Sequence, residues 1–234
     1  MIPRILVDTA PIPGGGELRL VKRGEEYSIM LGANELMNSR LSGSEEALAS
    51  LACDGAAPGA AVLVGGLGMG FTLRAALRVL GPEATVVVSE LVPAIVTWAR
   101  GPMAHLFGDS LEDPRVTVVE GDVAALIEGG RSAYDVILLD VDNGPDGLTR
   151  RENDRLYGES GLAAAGAALR PRGRLAIWSS APDAGFTRRL SKAGFTVEEV
   201  TVRARGGRRG ARHRIWLATR SDAPRRRGPA PGGR

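Results

Sequence analysis

The chain has 234 residues, 44% of them hydrophobic, which is enough for one domain with a sizeable core and a small appendage. A lone cysteine, Cys53, excludes an internal disulfide framework, and no apolar run approaches the roughly 18 residues of a membrane span. With no charged-then-apolar leader either, the expectation is a cytoplasmic protein. The formal charge of +3 is unevenly spread: eleven arginines and a single acid, Asp222, lie from Arg203 onward, whereas the first 202 residues carry 19 basic and 26 acidic side chains.

From the N-terminus, the β-favouring runs RILVDTA, GELRLVKRG and EYSIMLG are separated by Pro11 to Gly16 and by Arg23-Gly24, a pattern that predicts a small antiparallel hairpin or meander over residues 1–34. Ser42-Gly43-Ser44 then precedes EEALASLA, where Ser44 is placed to cap a helix. Glu45 and Glu46 in its first turn either serve the helix dipole or reach a ligand.

From Ala60 the chain alternates between short apolar runs (AVLV, ATVVVSE, RVTVVEGD, YDVILLD, GRLAIWSS) and segments with helical periodicity. That alternation predicts a mostly parallel sheet covered on both faces. Two further runs, FTVEEVTV and HRIWLATR, read as a closing antiparallel hairpin joined by an Arg/Gly connection. The expected organisation is a meander over 1–34, a nucleoside-binding Rossmann-like domain over 35–220, and a disordered basic tail over 221–234.

The stretch VLVGGLGMGFTLRAAL, Val62 to Leu77, reads as strand, glycine turn and helix. Glycine allows close approach of the backbone to a ligand, and the helix that follows offers free N–H groups. In an open α/β sheet the ligand lies beyond the carboxyl ends of the strands. Glu90, Asp122 and Asp140 each close such a strand or lie just past it. Glu90 stands where an acid accepts hydrogen bonds from both ribose hydroxyls, and unpaired carboxylates at these ends must face water or a ligand. Asp142, Asn143 and Gly144 follow directly, either as further polar groups of the site or as turn residues.

The nicotinamide-dinucleotide fingerprint needs a third small residue where Phe71 stands. The spacing Gly66-x-Gly68-x-Gly70 instead resembles the first motif of the S-adenosylmethionine-dependent methyltransferase superfamily. Within it, Val64 before the glycines, Leu111 to Val116 followed by Gly121-Asp122, the block LLDVDNGP, Leu156-Tyr157, and ALRPRGRLAIWSS resemble the spermidine synthase family over roughly residues 15 to 220. The resemblance implies a seven-stranded methyltransferase-type α/β fold and a homodimer. It places Gly66, Gly68 and Gly70 under the arm of a sulfonium cofactor, Glu90 on its ribose, and Asp122 with Val123 on its adenine. Gly65 and Leu91 are counted in the same cofactor site, and Asp140 faces the reacting centre.

Three departures bear on the chemistry. Gly68 stands where aminopropyltransferases have an acid in the glycine turn; Asn143 stands where they have a second aspartate; and Ser44-Glu45-Glu46 replaces their Tyr-His-Glu. Asparagine is no general base at neutral pH. The expected catalytic set is therefore Asp140, Asp142 and Asn143, with Glu45, Glu46, Asn143 and Tyr157 on the acceptor substrate; Tyr157 has an interhelical packing role as its alternative. The departures tilt the expectation toward methyl transfer from S-adenosylmethionine to a small amine or other polar acceptor. The alternatives are aminopropyl transfer from decarboxylated S-adenosylmethionine to a diamine, and a non-catalytic nucleoside-binding scaffold. No metal is expected, because His105 and His213 are isolated. The arginines around residues 203–212 lack interleaved aromatics and read as a solvated loop rather than a nucleic-acid surface.

Overall fold

A computed structural model describes residues 2–141, 156–205 and 210–221. Asp142, Asn143 and Gly144, part of the Arg-rich connection, and the tail expected to be disordered lie outside the described residues.

The N-terminal part is a four-stranded antiparallel meander of β1 (Ile5–Pro11), β2 (Glu17–Arg23), β3 (Glu26–Leu31) and β4 (Asn34–Asn38). The fourth strand was not legible as a separate run: NELMN is short, starts just past the Leu31-Gly32 turn, and pairs with β3 through an irregular register between Ile29 and Met30. It extends the meander to Asn38.

Helix α1 (Gly43–Cys53) leads into the larger sheet. Its remaining elements, in chain order, are β5 (Ala61–Gly65), α2 (Phe71–Val79), β6 (Thr85–Glu90), α3 (Pro93–Arg100), α4 (Ala104–Phe107), β7 (Val116–Glu120), α5 (Val123–Gly129), β8 (Tyr134–Leu139), α6 (Glu159–Ala168), β9 (Leu169–Ser179), α7 (Ala184–Lys192), β10 (Phe195–Arg203) and β11 (Arg212–Arg220). The sheet has seven strands in the order β10-β11-β9-β8-β5-β6-β7. Strands β7, β6, β5, β8 and β9 are parallel, and β11 inserts antiparallel between β9 and β10. From β5 the chain steps outward to β6 and β7, then returns to β8 on the other side. The carboxyl ends of β5 and β8 therefore flank a topological switch point, the usual crevice of such sheets.

Side chains alternate across the sheet and both faces are dry. Val62, Val64, Val86, Val88, Val136 and Leu138 point to one core, whereas Leu63, Ile137, Leu139, Leu175 and Ile177 point to the other. The first core is continuous with the meander through Leu18, Leu20, Tyr27 and Ile29 and with α1 through Leu48 and Ala52. Two side-chain contacts fix the meander to the α/β unit: Trp98 Nε1 of α3 donates to Asp8 Oδ2 at 2.7 Å, and the rings of Tyr27 and His105 lie 5.6 Å apart. Among the described residues no helix is long and apolar enough to cross a membrane.

Ser44 does not cap α1. The helix begins two residues earlier than a Ser44 cap would place it, with Ser42 at the cap position making no side-chain cap bond, so the Ser44 hydroxyl is free for other work. Asp122, by contrast, caps α5 by accepting from Ala124 N at 2.9 Å, as a strand-end acid before a helix is suited to do.

Candidate functional site

The glycine turn after β5 is shaped by close backbone approach. Gly66 has φ +88, and a Cβ there would stand 2.6 Å from the carbonyl oxygen of Asp140, so strand β8 exits directly against the turn. Gly68 has φ +50, and a Cβ there would meet Met37 Cε and Sδ at 2.7 and 2.8 Å. Methionine 37, from β4, thus occupies the space into which an acid at position 68 would project. The missing acid is matched by a thioether packed over the turn.

Glu90, at the end of β6, is 5% exposed. Its Oε2 accepts from Leu67 N at 2.9 Å and Gly68 N at 3.4 Å, and its Oε1 accepts from Val92 N at 2.9 Å. Burial pushes this carboxyl up, and the bonds from Val92, Leu67 and Gly68 oppose the shift. The side chain assigned from sequence to a ribose is therefore also the brace that holds the turn in shape.

One cavity of about 370 Å³ lies over these groups, roofed by the meander. Gly66, Gly68, Ser89, Glu90, Leu91, Gly121, Asp122 and Val123 line one end. Leu18, Ile29, Leu31, Leu36 and Met37 supply an apolar roof, and Glu45, Asp140, Trp178 and His213 lie along the same cavity. Asp122 keeps its second carboxylate oxygen outside the cap bond and is exposed.

Asp140 follows the last residue of β8, and its amide continues the ladder by donating to Gly65 O at 3.0 Å. Thr72, in the first turn of α2, donates its hydroxyl to Asp140 Oδ2 at 2.6 Å. Burial and the neighbouring Glu45 carboxylate push the Asp140 carboxyl up to about 7, against the Thr72 bond. Burial likewise pushes the Glu45 carboxyl up, while Ser44 Oγ donates to Glu45 Oε2 at 2.7 Å and opposes it. Two carboxyl groups with raised proton affinity in one apolar-walled cavity are suited to receive an ammonium group and to take a proton from it.

Not every expected site residue reaches the cavity. Gly65 faces Val123 and Leu139, and Gly70 backs onto the Phe107 ring, where a Cβ would come within 2.5 Å; both shape the turn from behind. Glu46 turns away to Arg78 at 3.4 Å, one helix position from Glu45 but on another face. Tyr157 is 2% exposed and packs edge-on against Phe186 at 5.6 Å in the second core, with its hydroxyl 3.5 Å from Val141 O. Asp142 and Asn143 lie outside the described residues. Thr72, Met37, Trp178 and His213 were not singled out as site residues from sequence. Thr72 alone carried a local signal, as a hydroxyl at the start of the helix after a glycine turn.

No family model matches the chain. Over 197 residues it is 30% identical to a polyamine aminopropyltransferase of Mycobacterium tuberculosis, a match covering 80% of this chain and 36% of that protein. Over 127 residues it is 32% identical to polyamine aminopropyltransferase 1 of Streptomyces coelicolor, covering 53% of this chain and 23% of that one. The chain thus spans about a third or less of the length of these curated relatives. Among solved structures it superposes on spermidine synthase from Thermotoga maritima with a TM-score of 0.74, and on a spermidine synthase in complex with the transition-state analogue AdoDATO with a TM-score of 0.72. Both are 17% identical, and each match covers 92% of this chain and 72% of the solved one. The names of the relatives side with the aminopropyl alternative and lend nothing to methyl transfer. With the seven-stranded sheet and leading meander in place, the chain is similar in sequence to polyamine aminopropyltransferases and in fold to spermidine synthases.

Proposed function

We propose that the protein transfers an aminopropyl group from decarboxylated S-adenosylmethionine to an amine. The observation that carries this reading is the convergence on one cavity of the glycine turn, Glu90 and Asp122 at one end with the Glu45 and Asp140 carboxyls beneath an apolar roof. The residues fit such a donor. Gly66 and Gly68, at the turn lining the cavity, take its arm, Glu90 takes the ribose hydroxyls while bracing the turn, and Asp122 accepts from the adenine amine through the oxygen not used in its cap bond. The names of the sequence relatives support the same chemistry.

The donor supplies an activated carbon: the amine lone pair forms a C–N bond, the C–S bond breaks with its electrons going to sulfur, and the amine gives up one proton. Asp140 and Glu45 hold the amine beside that carbon, and placement within van der Waals contact accounts for most of the acceleration such displacements need. Asp140 accepts the proton, its raised affinity bringing it near neutral pH. Thr72 fixes which oxygen of Asp140 faces the cavity. Leu18, Ile29 and Leu36 exclude water and enclose the methylenes of the acceptor.

The test is a product assay with either decarboxylated or carboxylated S-adenosylmethionine and a panel of diamines. Methylthioadenosine released with the decarboxylated donor is the expected result. S-adenosylhomocysteine formed from the carboxylated donor would establish methyl transfer instead, and nucleoside binding without either product would establish a scaffold.

A further inference from the structure

The hairpin of β10 and β11 reaches the candidate site from the opposite end of the sequence. Gly43 N, at the start of α1, donates to Ala204 O at 2.9 Å where β10 ends. His213, paired with Val202 across the hairpin, brings its Nδ1 to 2.8 Å from Ser44 Oγ. Ser44 is wholly buried and in turn meets Glu45 Oε2 at 2.7 Å.

The chemistry of this chain of contacts is constrained. A serine hydroxyl carries one proton, and a carboxylate is the stronger acceptor, so the proton is committed to Glu45. The contact between His213 and Ser44 must then be made by the imidazole, donating from Nδ1. Burial pushes the His213 pKa down, which favours the neutral ring, and a neutral ring that donates to Ser44 Oγ carries its proton on Nδ1. The Trp178 ring, edge-on at 4.8 Å, holds the imidazole in place. Glu45 needs such a tether because Glu46 and Asp140 both repel its charge.

We propose that His213 and Ser44 are positioning residues for Glu45: the imidazole Nδ1–H donates to Ser44 Oγ, and Ser44 donates to Glu45, which holds that carboxylate in the cavity beside Asp140 to receive the acceptor amine. This deepens, and rests on, the amine-alkylation reading of the cavity. It gives the hairpin's antiparallel return a part in acceptor recognition, delivered through two hydrogen bonds.

Two measurements on the full chain test it. Imidazole 15N NMR of the wild type at pH 7.5 should show His213 protonated on Nδ1, and Ser44→Ala should release it to the Nε2–H tautomer. In the transfer assay, His213→Phe, which keeps a ring against Trp178 but has no N–H, should raise the acceptor KM about tenfold, the loss expected for one hydrogen bond to a charged pair. The kcat and the dissociation constant of methylthioadenosine should stay within about twofold, and His213→Asn, whose amide N–H takes the place of Nδ1–H, should recover the KM to within about threefold. Added to Glu45→Gln, the His213→Phe change should cost nothing further. An Nε2-protonated His213 in the wild type, an unchanged KM in His213→Phe, or additivity with Glu45→Gln overturns the proposal. Absence of turnover with every amine sinks the aminopropyl reading alone, and the NMR tautomer still decides the tether.

Discussion

Asp140→Asn separates the electrostatics of the site from its shape. The amide is isosteric and its oxygen can still accept from Thr72, so the 2.6 Å bond survives while the repulsion with Glu45 is removed. In the folded chain this carboxyl is pushed up to about 7, against about 3.9 for an unfolded aspartate. The folded state therefore binds the extra proton between these values, and wild-type stability falls as pH rises from about 4 to about 7. A gap of about 3 units at 1.36 kcal/mol each gives about 4 kcal/mol, and partial contact with solvent lowers this to about 2–4 kcal/mol. Urea unfolding at pH 8 should find Asp140→Asn more stable by that amount, with the gain shrinking below pH 7 and gone by about pH 4. Turnover should drop about 10²–10⁴-fold, the usual contribution of a general base. A variant no more stable than wild type at pH 8, or a gain independent of pH, would refute the placement of two carboxyl groups in one cavity. Undiminished turnover would remove Asp140 from proton transfer.

Gly66→Ala should destabilise the fold by about 2–4 kcal/mol and abolish nucleoside binding, because the residue sits at φ +88 with a Cβ site 2.6 Å from the Asp140 carbonyl; unfolding and calorimetric titration read both effects. Glu90→Ala strips acceptors from the N–H groups of Leu67, Gly68 and Val92 and should weaken methylthioadenosine binding by about 1–3 kcal/mol. It should also lower stability, whereas a purely ribose-binding residue would leave stability alone. Trp98→Phe removes the donor to Asp8 and part of a buried ring, at a cost of about 1–3 kcal/mol. Amide exchange should rise in β1 before it rises in β5, and uniform exchange would show that the contact does not tether the meander.

The strand ends were legible because their signals are local. Val62, Leu63 and Val64 run into Gly65 and Gly66, and that order of apolar, β-branched and glycine residues determined a strand and a turn wherever they lay in space. The same holds for Glu90, Asp122 and Asp140, whose position after apolar runs placed them at the carboxyl ends of the strands, on one rim of the sheet. The departure at Gly68 was legible too, though its meaning was not: nothing near residue 68 reveals that Met37 of a strand 31 residues earlier would lie over it.

What tertiary structure alone decided is which neighbours of equal local promise serve the site. Glu45 and Glu46 are adjacent and identical in chemistry, yet one turns to the cavity and the other to Arg78, because successive helix positions point about 100° apart and only packing orients the helix. Tyr157 reads equally well as wall or core from sequence, and in the fold its ring packs on Phe186. His213 and Ser44 lie 169 residues apart and are joined only by the antiparallel return of β11. Apolar periodicity along the chain specifies elements and their buried faces, whereas a hydrogen bond across the fold depends on how three separately specified elements dock, and no local pattern encodes that.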